Sequence, residues 1–184
     1  MGALKGDLQM FKKKLDAKTI ATMGLLMALQ LVLTRFVSIE TPIVRIGFDF
    51  LPIAIMGMLF GPWLSGVAVA MTDIIGISLF ARTAPFFPGF TLSAFLTAAV
   101  YGLFLYKKPK TLLRVALAVI TVTIVINLGL NTLWLSMIYD KAMIVIFPAR
   151  ILQNLIMTPI QIALLYFVVR SNILTKTIGI DSTK

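Results

Sequence analysis

Four arginines stand at the edges of long apolar runs: Arg35, Arg45, Arg82 and Arg150. A guanidinium beside hydrocarbon is costly, so it snorkels to the interface, pairs with an acid or serves a function. Its planar fork matches a carboxylate with two parallel hydrogen bonds. Four such forks gathered at one face would make a receptor for an anion. Arg45 and Asp49 stand four apart, a spacing that supports an ion pair if both lie on one helix. Other polar residues interrupt the apolar runs. Asn127, Asn131 and Trp134 follow an i, i+4, i+7 spacing, so a helix puts them on one face. Arg150, Gln153 and Asn154 make a second polar face, and Asp73 lies within another run. Asparagine offers donors and acceptors, and tryptophan offers a flat ring. Amides of this kind commonly hold helices together. That reading suits Asn127, the deeper residue, whereas Asn131, Arg150 and Asn154 lie nearer the outer mouth and are candidate ligand contacts.

Residues 82–92, RTAPFFPGFTL, are too apolar for an ordinary exposed loop and too broken for a helix. Pro85 and Pro88 stiffen the stretch, and Gly89 permits a tight turn into the next element. Phe86 and Phe87 either dip into lipid as an anchor or cap a pocket and stack on a flat ligand. Beside Arg82, the stretch suits a lid over an aromatic anion.

Much other chemistry is excluded. The chain has no Cys and no His, which removes disulfides, haem and iron–sulfur ligation, most zinc sites and the usual proton shuttle. No cofactor or metal is expected. There is no G-x-x-x-x-G-K-[ST] loop, so ATP is not bound by that route, and no catalytic dyad stands out.

The elements that must position these residues are membrane helices. Of the 184 residues 59% are hydrophobic and only 13% charged, and the mean hydropathy is +0.99; soluble domains are nearer a quarter charged. Six spans are expected, at residues 19–35, 43–60, 62–79, 90–106, 111–139 and 147–170. They would form one all-α transmembrane domain over 19–170, between a basic segment at 1–18 and a tail at 171–184. The first 18 residues lack a short apolar core followed by a small-residue cleavage site, so no signal peptide is expected. With six spans, twelve of the 17 cations fall on the side of the termini and five on the other. The positive-inside rule then makes both termini cytoplasmic. The net charge of +10 reads as topology; the cations flank spans rather than form a groove, so nucleic acid is not an expected partner. In the first span Ala17, Ala21, Gly24 and Ala28 form a stripe of small residues on one face, which lets another helix approach closely.

Two segments carry a resemblance. Residues 45–76, RIGFDFLPIAIMGMLFGPWLSGVAVAMTDIIG, and 86–110, FFPGFTLSAFLTAAVYGLFLYKKPK, resemble the folate-specific substrate-binding subunits of energy-coupling factor (ECF) vitamin transporters, the FolT family. The similarity covers nearly the whole chain after Thr19. It implies a six-helix bundle in the bacterial plasma membrane that holds folate in its outer half. It also implies a transmembrane coupling subunit and two ABC-type ATPases as partners, and loops at 35–45 and 79–90 as gates. Arg35 and Asn154 match ligand contacts expected in such subunits, and Phe86, Phe87, Pro88 and Gly89 match the aromatic–Pro–Gly gate. Arg45, Asp73, Arg82, Asn131, Trp134 and Arg150 are candidates by position alone. The first span of such subunits docks onto the coupling subunit; this chain carries Gly24 and Ala28 where relatives often have Ala-x-x-x-Ala. Three alternatives stay open. They are the same architecture for another vitamin such as pantothenate, a small membrane enzyme or quinone-binding subunit, and a proton-coupled carrier using Asp73.

Overall fold

The fold is seen in a computed structural model that describes residues 16–40, 45–79, 87–139 and 143–170. Arg82, Pro85 and Phe86 lie outside the described residues, as do the segments at 1–15 and 171–184. Helix α1 spans Ala17–Phe36 and is capped by Asp16, whose carboxylate accepts from the Ala17 N–H at 2.8 Å. A minimal antiparallel ladder follows, β1 (Ile39–Glu40) with β2 (Arg45–Ile46), placing Ile39 opposite Ile46 and Glu40 opposite Arg45. Then come α2 (Phe50–Phe60), α3 (Pro62–Leu79), α4 (Pro88–Leu105) and α5 (Leu112–Thr121). The chain continues without a break through a π-helical segment, Val122–Leu130, into α6 (Asn131–Tyr139), and the last described element is α7 (Met143–Arg170).

Among the described residues, five helical runs are long and apolar enough to cross a membrane: Ala17–Phe36, Pro62–Leu79, Pro88–Leu105, Leu112–Tyr139 and Ile146–Arg170. Helices serve here because each satisfies its own backbone in lipid. The second expected span differs. It was expected from residue 43, yet α2 begins at Phe50 and has 11 residues. A short apolar run does not by itself distinguish strand from helix, and here residues 45–46 pair with 39–40 instead of winding. Arg45 therefore stands on a strand, and the four-residue spacing to Asp49 no longer puts the two on one helical face.

Proline and glycine set the other boundaries. Gly61 alone separates α2 from α3; its φ of +82° is open to glycine and strained for other residues. Its N–H bonds the Gly57 carbonyl at 3.1 Å, and Pro62 takes the first position of α3, where no N–H is missed. Pro88 does the same for α4.

The two halves of the bundle are built differently. The basal half contains the Gly61 turn, the 106–111 turn and the end of α7. It is apolar and close-packed, with Met56, Tyr101, Leu105, Val115, Val119, Leu165 and Val169 all buried. At its centre α2 and α4 touch through glycines. A Cβ on Gly57 would lie 2.8 Å from the Gly102 nitrogen, and one on Gly102 would lie 2.5 Å from the Pro62 nitrogen. The upper half instead buries polar side chains: Gln30, Thr34, Thr72, Ser93, Thr132, Arg150 and Asn154. Helix α1 gives the bundle little more than Leu26, Gln30 and Thr34. Its Ala17, Ala21, Gly24 and Ala28 are all exposed.

Gly102→Ala is expected to lower stability by about 1–3 kcal/mol, the usual cost of overpacking a filled core. Gly24→Ala, which meets nothing within 4 Å, should be neutral or stabilising, since alanine favours helix by about 1 kcal/mol. Thermal unfolding of both variants in detergent compares the two.

Candidate functional site

The polar upper half is where the candidate residues meet. Arg150 sits two turns into α7 and is only 7% exposed. Its Nη2 donates to the Asn127 carbonyl at 2.8 Å. That carbonyl is available because of the π segment. Where a five-residue ladder returns to a four-residue one, two successive carbonyls compete for one amide, and an acceptor is left over. The Asn131 N–H still reaches back five residues to Ile126. The next carbonyl, Asn127, takes Arg150 and also the Thr132 hydroxyl at 3.2 Å. The Asn127 side chain accepts from Asn131 Nδ2 at 3.3 Å. Asn131 Oδ1 is buried with no hydrogen-bond partner among the described residues, so it remains an open acceptor. Asn154, a turn below Arg150 and also 7% exposed, donates to the Arg150 carbonyl at 2.7 Å.

The facing wall is formed by α1 and α3. Arg35 ends α1, and its guanidinium lies against Gly76: a Cβ there would meet Arg35 Nη2 at 2.8 Å. Glycine at this position leaves the groove that the guanidinium fills. Asp73, one turn before Gly76, accepts from the Thr91 hydroxyl at 2.9 Å and ties α3 to α4. Gln30 and Thr34 lie four apart on the buried face of α1. Gln30 Oε1 and Thr34 Oγ1 are buried with no hydrogen-bond partner among the described residues.

An aromatic cluster closes one side. The Trp134 indole donates to Ser93 Oγ at 3.1 Å. Its ring packs 5.5 Å from Phe87, tilted by 47°, and Phe87 meets Phe90 edge-on at 6.3 Å. Gly89 makes the contact possible, since a Cβ there would lie 2.7 Å from the Trp134 ring.

Of the residues singled out in the sequence, Arg35, Asp73, Phe87, Pro88, Gly89, Asn131, Trp134, Arg150 and Asn154 all fall in the upper half. The backbone of Arg45 lies on β2, and Arg82, Pro85 and Phe86 are outside the described residues. Sequence reasoning missed Gln30, Thr34, Gly76, Thr91 and Ser93. The signal for the first two was present: polar residues four apart in an apolar run share a helix face. No group of three or more His, Cys, Asp or Glu side chains that could hold a metal occurs among the described residues. Two buried or half-buried arginines, open amide and hydroxyl acceptors and a tryptophan face suit an aromatic anion rather than bond-breaking chemistry.

Comparison with known proteins identifies the family. Residues 18–169 match the family model for the ECF transporter, substrate-specific component. The chain belongs to this family. Its members are transporter components rather than enzymes, so this chain is a multi-pass protein of the bacterial plasma membrane. It is 46% identical over 144 residues to the folate transporter FolT of Clostridium novyi (strain NT), covering 78% of this chain and 83% of that one. It is 34% identical over 170 residues to the FolT of Leuconostoc mesenteroides, covering 89% and 91%. A crystal structure of FolT bound with folic acid superposes with a TM-score of 0.80 at 41% identity, over 83% of this chain and 93% of that one.

Gly89→Ala should push the Trp134 indole off its seat. In a Trp63→Phe background, which leaves Trp134 as the sole tryptophan, the emission maximum of the ligand-free protein is expected to shift. An unchanged spectrum would mean the ring is not held there.

Proposed function

We propose that this chain is the folate-binding component of an ECF importer, taking folate from outside the cell and handing it on through partner subunits. The observation that carries the reading is the likeness to folic-acid-bound FolT across 93% of that chain. The site agrees with it chemically. Folate carries carboxylates for arginine forks and a flat heterocycle for an aromatic wall. The fold is a six-element bundle, in which α2 and the β1–β2 ladder together stand for the sixth crossing. Both termini are cytoplasmic and the polar half faces out. Arg35 and Arg150 hold the anionic end of the ligand, and Asn131, Trp134 and Asn154 line the cavity. Asp73 braces the wall through Thr91, while Arg45, on β2, and Arg82, outside the described residues, are further candidates for the anion. Phe87, Pro88 and Gly89, with Pro85 and Phe86, form the gate.

The chain has no ATP site of its own by motif, so transport requires a transmembrane coupling subunit and two ABC-type ATPases. The docking face is the stripe of Ala17, Ala21, Gly24 and Ala28. All four are exposed, and the space over Gly24 is open. Among the described residues nothing lies within 4 Å of a Cβ at Gly24, and small residues let a partner helix approach closely where apolar surface gives no drive.

Three experiments test this reading. Equilibrium binding to the purified protein should be tight for folate and weak for pantothenate. Arg35→Ala or Arg150→Ala should cost at least about 1.5 kcal/mol of folate affinity, the low end for a charge-assisted hydrogen bond; wild-type affinity in both would place the anion elsewhere. Gly24→Leu should leave folate binding by the isolated chain intact and abolish uptake and co-purification of the coupling subunit. Uptake that survives would move the docking surface off this stripe.

A further inference from the structure

The turn between α4 and α5 carries a lysine where the backbone asks for glycine. Tyr106, with φ −66° and ψ 123°, and Lys107, with φ +50°, are the central residues of a type II turn. The Lys108 N–H closes it on the Leu105 carbonyl at 3.4 Å. Such a turn needs a positive φ at its third residue, which glycine or asparagine supplies at little cost. Lys107 is the one non-glycine residue with a positive φ among the described residues. Strain that glycine would relieve points to a use for the side chain.

What that side chain offers is a placed cation. The Lys107 ammonium lies 5.4 Å from the centre of the Tyr106 ring. The ring packs over Gly61, where a Cβ would meet it at 3.3 Å, so the charge is fixed beside the link of α2 and α3. The rest of the turn has the same sign. Lys108 donates to the Leu103 carbonyl at 2.6 Å and caps α4, and Lys110 and Arg114 follow. Among the described residues the base holds six cations, at 18, 107, 108, 110, 114 and 170, against one acid, Asp16. The Asp16 carboxylate accepts from the Ala17 N–H. The charge that balances this rim therefore comes from outside the described chain.

Apolar surface adjoins the cations. Leu103, Leu112 and Leu113, on the two helices that the turn connects, are exposed, and Trp63, just past Gly61, is 78% exposed. At a membrane boundary such leucines face acyl chains and such a tryptophan sits among head groups. A soluble acidic partner would answer the lysines and leave the leucines without a counterpart, whereas a phospholipid answers both.

We infer that the turn at 106–114 binds an anionic phospholipid of the inner leaflet. Lys107, Lys110 and Arg114 take the phosphate-bearing head group, and Leu112 and Leu113 lie along its acyl chains. The inference rests on the proposed topology, which puts this rim at the cytoplasmic face.

The purified chain is placed in nanodiscs of phosphatidylcholine with graded phosphatidylglycerol, and its unfolding midpoint is followed, because a lipid that binds only the folded state raises it. The midpoint is expected to rise and saturate. Lys107→Gly should unfold no earlier than wild type in phosphatidylcholine alone, since glycine relieves the turn. It should need about fivefold more phosphatidylglycerol for half the rise, the weight of one lysine near an anionic surface. Lys18→Gln, which removes a cation from the same rim on α1, should shift the half-point by less than about twofold. A flat titration overturns the inference and leaves an acidic protein surface as the occupant. Earlier unfolding of Lys107→Gly in phosphatidylcholine overturns it too, by making the lysine a prop of the fold. Equal shifts for the two variants reduce the site to diffuse charge, and a rise produced by inorganic phosphate alone makes it a site for a free anion; either result overturns the lipid assignment. The topology is tested apart from this. The chain has no cysteine, so Lys110→Cys supplies a single thiol. Its labelling in intact cells by a membrane-impermeant maleimide would put the rim outside and overturn the proposed topology, and the inner-leaflet assignment with it, whatever the nanodiscs show.

Discussion

A guanidinium inside an apolar bundle must be given oxygen, and the way Arg150 obtains it organises the upper half of this protein. Placing an arginine at the centre of a membrane helix costs about 3 kcal/mol on insertion scales. One charge-assisted hydrogen bond returns about 1.5–3 kcal/mol. The bond to the Asn127 carbonyl therefore offsets much of the cost, but only because the helical ladder slips over Val122–Leu130 and leaves that carbonyl to spare. The same slip presents Asn131 and Trp134 to the interior. Trp134 in turn reaches Ser93 on α4 and fixes Phe87 at its start. Cation, amides and aromatic wall thus depend on one irregularity in one helix.

The opposite wall follows a different rule. Arg35 is accommodated by absence: Gly76 offers no side chain, and the guanidinium occupies the vacant space. Asp73 on the same helix is held by Thr91, so its carboxylate position is set by α4 rather than by solvent. Close packing below and polar groups above are complementary needs. A base joined through Gly57, Gly102 and Pro62 holds in place an upper half whose buried side chains are polar.

Much of this was legible in the sequence where the signal is local. Pro62 marks a helix start through its missing N–H, and α3 runs as its composition dictates, whereas Pro88 and Gly89, read as loop and turn, form the first turn of α4. The i, i+4, i+7 spacing put Asn127, Asn131 and Trp134 together because a helix face is a local property. What could not be read is set by register or by partners far along the chain. Apolarity alone does not tell residues 45–46 as a strand from the first turn of a helix; their pairing with 39–40 decides. Nothing in VTIVINLGL announces a five-residue ladder over a four-residue one, since both present the same composition to lipid. Gln30 and Thr34 were overlooked because each, taken singly, is an ordinary polar residue near the end of a span.

The single-residue link at Gly61 has a mechanical meaning. With no slack between Phe60 and Pro62, and with Gly102 packed on the Pro62 backbone, α2 and α3 form a stiff V hinged nowhere along its length. A push on its apex at the membrane surface swings both arms together. One arm begins at Phe50 and the other carries Asp73 and Gly76, so a displacement applied at the base would reach the wall that seats Arg35 with no flexible joint on the way.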